Sequence, residues 1–146
     1  MDHKIVPITD ALAAHNDKQR NWVKGHFVEN HDEKYAPLEG KLRLLDTIIR
    51  QKWIEPHEKW KLQALGITFG DALEQALKMQ WVMVVDEDGE TPALTFPGKA
   101  LEVFPLTAIS KRIERGEEVD IYELFNGFCD MVRNRAEVGR VEQKLN

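Results

Sequence analysis

The stretch WVMVVDEDGETPALTFPGKALEVF, residues 81–104, is where the spacing of apolar residues changes from helical to alternating, and its reading decides the fold. WVMVV (81–85) is short, β-branched and apolar, DEDGET follows with Asp88-Gly89 at its centre, and PALTF (92–96) resumes the extended pattern, so a β-hairpin is expected. Phe96-Pro97-Gly98-Lys99 predicts a second turn of type II, in which Pro fixes φ near about −65° and Gly supplies the positive φ. ALEVF (100–104) alternates and gives a third strand. Connections this short cannot carry parallel crossovers, so the expected pairing is an antiparallel meander.

Gly98-Lys99 after a strand invites comparison with a phosphate-binding loop, whose Gly-x-x-x-x-Gly-Lys-[Ser/Thr] leads into a helix so that backbone N–H groups wrap phosphates while the hydroxyl holds magnesium. Ala93 stands at the first glycine position, Ala100 at the hydroxyl position, and a strand follows. The motif fails on all three counts, and Lys99 reads as a solvated turn residue.

Upstream the period is helical. A first helix is expected from Thr9 or Asp10, either able to cap the free first-turn N–H groups, to about Asn30, with Leu12, Trp22, Val23, His26 and Phe27 at helical spacing and His15 beside them. HDEKYAP (31–37) is a polar break, after which Leu38, Leu42, Leu45, Ile48, Ile49 and Trp53 mark a second amphipathic helix. Pro56 suits the first turn of a third, carried by Trp60, Ala64, Ile67, Leu73, Ala76 and Leu77. Gly66 and Gly70 lie four apart on its one side, a cost of about 1 kcal/mol each relative to Ala that signals close backbone approach by a neighbour. Downstream, Pro105 opens a helix lined by Leu106, Ile109 and Ile113 and capped by Gly116, and Asp120 with Glu123 makes a capping-box-like start to a last helix striped by Ile121, Leu124, Phe125, Phe128 and Val132. The expected fold is therefore α+β: three N-terminal helices, a three-stranded antiparallel meander, and two C-terminal helices packed on one face of the sheet, in a single domain with loose ends at 1–8 and 137–146.

Composition bounds the function. At 146 residues, 42% hydrophobic and 31% charged, the chain is long enough for one self-sufficient core. No apolar run approaches the roughly 20 residues that cross a bilayer, and MDHKIVPITDALAAH carries no secretion signal, so a cytoplasmic setting is expected. Cys129 is the only cysteine, which excludes an internal disulfide. Up to Glu55 the chain holds 9 Lys+Arg and 9 Asp+Glu; from Pro56 on it holds 11 and 16, so the net charge of −5 lies wholly in the second part. An acidic chain with no basic tract beyond Lys111-Arg112 argues against nucleic-acid binding, which draws on clustered cations.

No motif supplies a complete catalytic set. Asp86, Glu87, Asp88 and Glu90 crowd the hairpin, yet the EF-hand order and its distal Glu are absent, so these carboxylates read as a solvated turn. His26 and His31 are five apart, a poor spacing for one helix face, and no zinc set accompanies them. Cys129 falls at the border of a buried face, with every histidine in the first 57 residues, and reads as a small core residue. Ser110-Lys111 are adjacent on a helix and do not face each other, so no Ser-Lys pair forms. Neither metal nor cofactor is expected.

LGITFGDAL (65–73), WVMVVDEDGETPAL (81–94) and FPLTAISKRIERGEEVDIYELF (104–125) together resemble a bacterial domain family of unknown function over about residues 65–132. The resemblance implies a bacterial origin and a compact α+β domain; it brings no activity and no catalytic residue.

Two functions of different class follow. The first is a non-enzymatic protein-binding, regulatory or immunity-like domain, in which the carboxylates of Asp86, Glu87, Asp88 and Glu90 meet a partner protein rather than nucleic acid or a membrane. The second is an enzyme or small-ligand binder with a polar cleft near the sheet and the C-terminal helices, lined by Asp71, Lys99, Ser110, Lys111 and Arg112. One deep pocket where those side chains converge favours the second; an exposed aromatic patch favours the first.

Overall fold

In the computed structural model, which describes residues 4–96 and 101–145 and side chains as far as 135, the chain runs β1 (Lys4–Val6), α1 (Asp10–Lys24), α2 (His31–Tyr35), α3 (Leu38–Arg50), α4 (Lys59–Leu77), β2 (Gln80–Asp86), β3 (Gly89–Thr95), β4 (Glu102–Val103), α5 (Ser110–Glu114) and α6 (Ile121–Leu145). The α+β expectation and the antiparallel meander hold. β2 and β3 pair from Gln80↔Thr95 to Asp86↔Gly89 across a two-residue loop, Glu87-Asp88, and β4 pairs on β3. A fourth strand joins them: Lys4–Val6, expected as part of a loose end, pairs antiparallel with β2 on its free edge and gives the order β1-β2-β3-β4. The expected second turn at Pro97-Gly98, and Lys99 with it, lies outside the described residues.

The hairpin closes as its sequence demands. Gly89 has φ of +127°, a conformation L side chains rarely adopt, and the Asp86 side chain accepts the Asp88 N–H at 2.8 Å, locking the turn. Pleating then splits the strand between two faces. Trp81 and its partner Leu94 face α4, while Val82, Val84 and Ala93 form a separate buried cluster on the other side.

α4 is the central element, buried continuously from Ala64 to Leu73 because α1, α3, α5 and α6 all pack against it. Its two glycines let the chain after β4 cross closely. A Cβ at Gly66 would lie 2.5 Å from the Leu106 carbonyl oxygen, and one at Gly70 would lie 2.3 Å from the Trp81 ring. The close approach read from their spacing is thus the Leu106 backbone at Gly66 and, at Gly70, the Trp81 ring together with Pro105 Cγ at 2.9 Å. The C-terminal helices pack chiefly on helices, α5 on α4 and α6 on α3 and α4, in the core cluster that also takes Leu94 and Val103 from the sheet.

Several boundaries differ from expectation for identifiable reasons. α1 starts on its expected cap, with the Thr9 hydroxyl accepting the Leu12 N–H at 3.2 Å, but ends at Lys24 rather than Asn30. Its buried face is Asn16, Gln19 and Val23, with His15 exposed, so polar groups occupy part of the stripe that packs on α4. The polar break holds a short helix, α2, entered through Asn30 at φ +56° and carrying Tyr35 into the core. α3 stops at Arg50 because Lys52 adopts φ +53°, with Lys52 N–H bonded to Ile49 O and Trp53 N–H to Ile48 O, a Schellman ending that throws Trp53 off the helical stripe. Pro56 sits in the turn before α4 rather than inside it, α5 begins at Ser110 rather than Pro105, and of the expected third strand only Glu102–Val103 is strand among the described residues. Gly116, at φ +76°, ends α5 as expected, and Asp120 caps α6 by accepting the Tyr122 and Glu123 N–H groups, each at 3.1 Å. Among the described residues no helix is long and apolar enough to cross a membrane.

Candidate functional site

Among the described residues Asp71 is the most heavily hydrogen-bonded buried side chain. Only 6% exposed, it takes Arg20 Nε–H on Oδ2 at 2.6 Å and Arg20 Nη2–H on Oδ1 at 2.9 Å, a bidentate fork. Tyr35 O–H donates to Oδ2 at 2.5 Å and Trp81 Nε1–H to Oδ1 at 3.0 Å, so one carboxylate ties together α1, α2, α4 and β2. The Thr68 hydroxyl, 3.1 Å from the Tyr35 oxygen, completes the chain of bonds. Burial, then the charge and bond of Asp71, hold the Tyr35 phenol well above its ordinary ionisation range. A carboxylate has about four acceptor sites, and four donors fill them here, so Asp71 has no lone pair to lend to a substrate.

Around this knot is a shallow, open depression of about 550 Å³ lined by Arg20, Tyr35, Lys41, Asp71, Glu74, Gln75 and Trp81. Lys41 is spent on structure: its Nζ donates to Ala36 O at 2.8 Å and Gln75 Oε1 at 2.7 Å and rides 4.9 Å from the Tyr35 ring centre. Burial pushes its ammonium down and pushes the Glu74 carboxyl up.

The residues expected to line a common cleft are dispersed. Asp71 belongs to the depression just described, whereas Arg112 lines a different one beside the start of α6, with Glu118, Asp120, Glu123 and Phe128. Ser110 is buried at the start of α5, Lys111 is exposed, and Arg112 Nη1 donates to Ala108 O at 2.8 Å. Lys99 lies outside the described residues. At the hairpin, Glu87, Asp88 and Glu90 are exposed and Asp86 is committed to its turn. Among the described residues no group of three His, Cys, Asp or Glu side chains is arranged to hold a metal ion. Cys129 is buried, and burial raises its thiol, the behaviour of a core residue.

The surface feature the sequence reading missed is aromatic. Trp53 and Trp60, assigned above to the buried stripes of two helices, are 51% and 41% exposed. They flank a continuous ladder: His26 stacks on Trp53 with ring centres 5.8 Å apart, Trp22 meets His26 edge-on at 4.6 Å, and Trp60 meets Trp22 edge-on at 6.1 Å. His26 Nδ1 lies 3.0 Å from Trp22 O and 3.2 Å from Val23 O; carbonyls only accept, so Nδ1 carries a proton and the ring is fixed on α1. Lys61 Nζ sits over the Trp22 ring at 5.8 Å, and Gln19 Nε2 donates to Trp60 O at 3.2 Å.

No curated protein matches the sequence. Among solved structures, a crystal structure of a protein from Bacteroides thetaiotaomicron superposes with a TM-score of 0.73 at 20% identity over 90% of this chain, a likeness of fold; the chain spans 48% of that protein's length. A family model described as a domain of unknown function, DUF3806, matches residues 41–125, which include Asp71, Trp81, Trp53 and Trp60, while Arg20, Tyr35, Trp22 and His26 precede them. With more than half of its length so matched, the chain belongs to the DUF3806 family.

Proposed function

We propose that this domain is a non-enzymatic binding module that engages a partner protein through the Trp22, His26, Trp53 and Trp60 surface. The observation that carries the reading is the joint exposure of Trp53 and Trp60 on a packed, pre-arranged ladder: large amphipathic rings held in place lose little freedom on binding and are the residue types that dominate interface energies. Support comes also from the polar residues, because Asp71 is saturated by its own fold and Arg112 belongs to another depression. In this reading the exposed carboxylates of Glu87, Asp88 and Glu90 assist encounter with a basic region of the partner over a Debye length of about 8 Å, an effect that fades as salt rises.

The test is capture from cell extract by wild type and by the Trp53→Ala/Trp60→Ala double variant side by side, with mass-spectrometric identification and a check that both fold. Proteins retained by wild type and lost by the variant are the expected result. An identical set from both baits would refute the assignment of the patch.

A further inference from the structure

The aromatic patch lies in an island of charge opposite to the rest of the chain. Residues 50–61 hold Arg50, Lys52, Lys59 and Lys61 against Glu55 and Glu58, a positive excess within a protein of net charge −5. Lys61 is paired with Glu58 and Arg50 with Asp46. Lys52 and Lys59 are exposed, immediately precede Trp53 and Trp60, and have no side-chain ion pair or hydrogen bond among the described residues. Each exposed indole is therefore preceded in the chain by an uncommitted, exposed cation.

We infer that the occupant of this surface is an acidic polypeptide segment that places an apolar or aromatic side chain against Trp53 and Trp60 and its carboxylates against Lys52 and Lys59. This rests on the reading of the domain as a binding module and specifies what it binds. Size selects a segment: two indoles at about half exposure offer roughly 200 Å², well short of the roughly 800 Å² that each side of a standard rigid interface contributes, and suited to an anchor of a short motif. Charge selects its sign. An acidic segment is repelled by the net negative charge of the remainder of this chain, including the hairpin tip, and attracted toward the stretch that carries Lys52, Lys59 and Lys61 with the two indoles, so long-range forces help guide it. A basic segment would meet unpaired lysines beside the very rings it must cover. The partner so described is bipolar, with an acidic anchor for the patch and a basic flank for Glu87, Asp88 and Glu90.

The experiment is selection of a random short-peptide display library on wild type, with the enriched peptides then labelled with a fluorophore and measured by fluorescence anisotropy against wild type, Trp53→Ala/Trp60→Ala and Lys52→Glu/Lys59→Glu. All three proteins are first compared by thermal unfolding. Because the lysines are exposed, charge reversal is expected to leave unfolding unchanged. The expected peptides carry an excess of Asp and Glu around one apolar or aromatic residue, require both tryptophans, bind more weakly at high salt, and lose about tenfold or more in affinity to the charge-reversed protein. Peptides that require the tryptophans but are neutral or basic, or that bind the charge-reversed protein equally, overturn the acidic segment and leave the binding module standing. Enrichment of no tryptophan-dependent peptide overturns both. Concentration-dependent dimerisation abolished by the tryptophan substitutions would make a second copy the occupant and likewise overturn the acidic segment.

Discussion

Replacing Asp71 by Asn changes one atom at the point where α1, α2, α4 and β2 meet, and its cost can be worked from the contacts. The amide keeps the shape but removes the charge that the Arg20 fork answers, and its new N–H groups point at donors. Removing one partner of a buried ion pair costs about 3–5 kcal/mol, since the other charge is left without its counterpart. Here Arg20 is 22% exposed and keeps its bond to Asp17, which places the loss at the low end, about 3 kcal/mol. For a domain of this length that lowers Tm by about 10 °C. Urea unfolding followed by far-ultraviolet circular dichroism and by tryptophan fluorescence would measure it, with an unchanged m-value showing that the same surface is exposed. Arg20→Gln in wild type and in Asp71→Asn completes a cycle, and the second loss is expected to be smaller by about 2 kcal/mol because the pair is already broken. A loss below about 1 kcal/mol for Asp71→Asn, or additive losses in the cycle, would refute the view that this carboxylate holds the helices to the sheet.

Other consequences are read by the same unfolding assay. Gly66→Ala forces a Cβ to 2.5 Å from the Leu106 carbonyl and is expected to cost about 1–2 kcal/mol net of improved helix propensity, whereas Gly127→Ala, on open surface of α6, is expected to stabilise by up to about 1 kcal/mol; equal effects would deny the crossing over α4. Lys78, held at φ +57° at the end of α4 with Met79 N–H bonded to Glu74 O, is expected to gain about 1 kcal/mol on change to Gly, and a loss of stability there would show its side chain to be needed. Asp120→Ala is expected to cost about 1 kcal/mol by freeing the Tyr122 and Glu123 N–H groups, and no change would remove the cap. For Tyr35 the folded phenol ionises above its unfolded value of about 10, so its contribution is complete below pH 10 and falls beyond it, at up to about 1.4 kcal/mol per pH unit, as the unfolded chain gives up a proton the folded one keeps. Tyr35→Phe should be less stable at neutral pH yet flatter above pH 10; parallel curves would contradict the buried phenol.

The sequence made legible those features that are local or that leave only one physical solution. The hairpin was readable because Asp88-Gly89 between two apolar runs admits few geometries, and Gly66 with Gly70 because two glycines in a helix interior need a neighbour to justify them. What escaped was of two kinds. α3 and α4 both end on lysines in the left-handed conformation, Lys52 and Lys78, where glycine would have been the visible sign, and the lost boundary at Lys52 is what put Trp53 in the wrong place. The other kind is distance. Asp71 meets Arg20 across 51 residues and Tyr35 across 36, and a buried face on α1 that includes Asn16 and Gln19 looks polar until α4 is laid against it. Lys4–Val6 is three residues long, too short for a period to show.

The knot and the aromatic patch share α1, and this connects stability to recognition. At about 100° per residue, Asn16, Gln19 and Val23 fall on the face turned to α4, Arg20 lies beside them, and Trp22 lies on the flank, where His26 from the turn that follows the helix meets it edge-on. Arg20 fixes the rotation of the helix through Asp71, and Gln19 fixes its level through Trp60 O, so the ladder of rings is set by polar contacts buried behind it rather than by the rings alone. That accounts for the apolar burial given up at Gln19, whereas the buried Asn16 Oδ1 meets no hydrogen-bond donor among the described residues and is not explained by it. A hydrocarbon side chain at Gln19 would pack α1 on α4 without specifying its register, and a turn of the helix by a fraction of a residue would carry Trp22 away from Trp60 while leaving the core intact. The buried hydrogen bonds contribute orientation more than stability, and orientation is what a surface of pre-arranged rings requires.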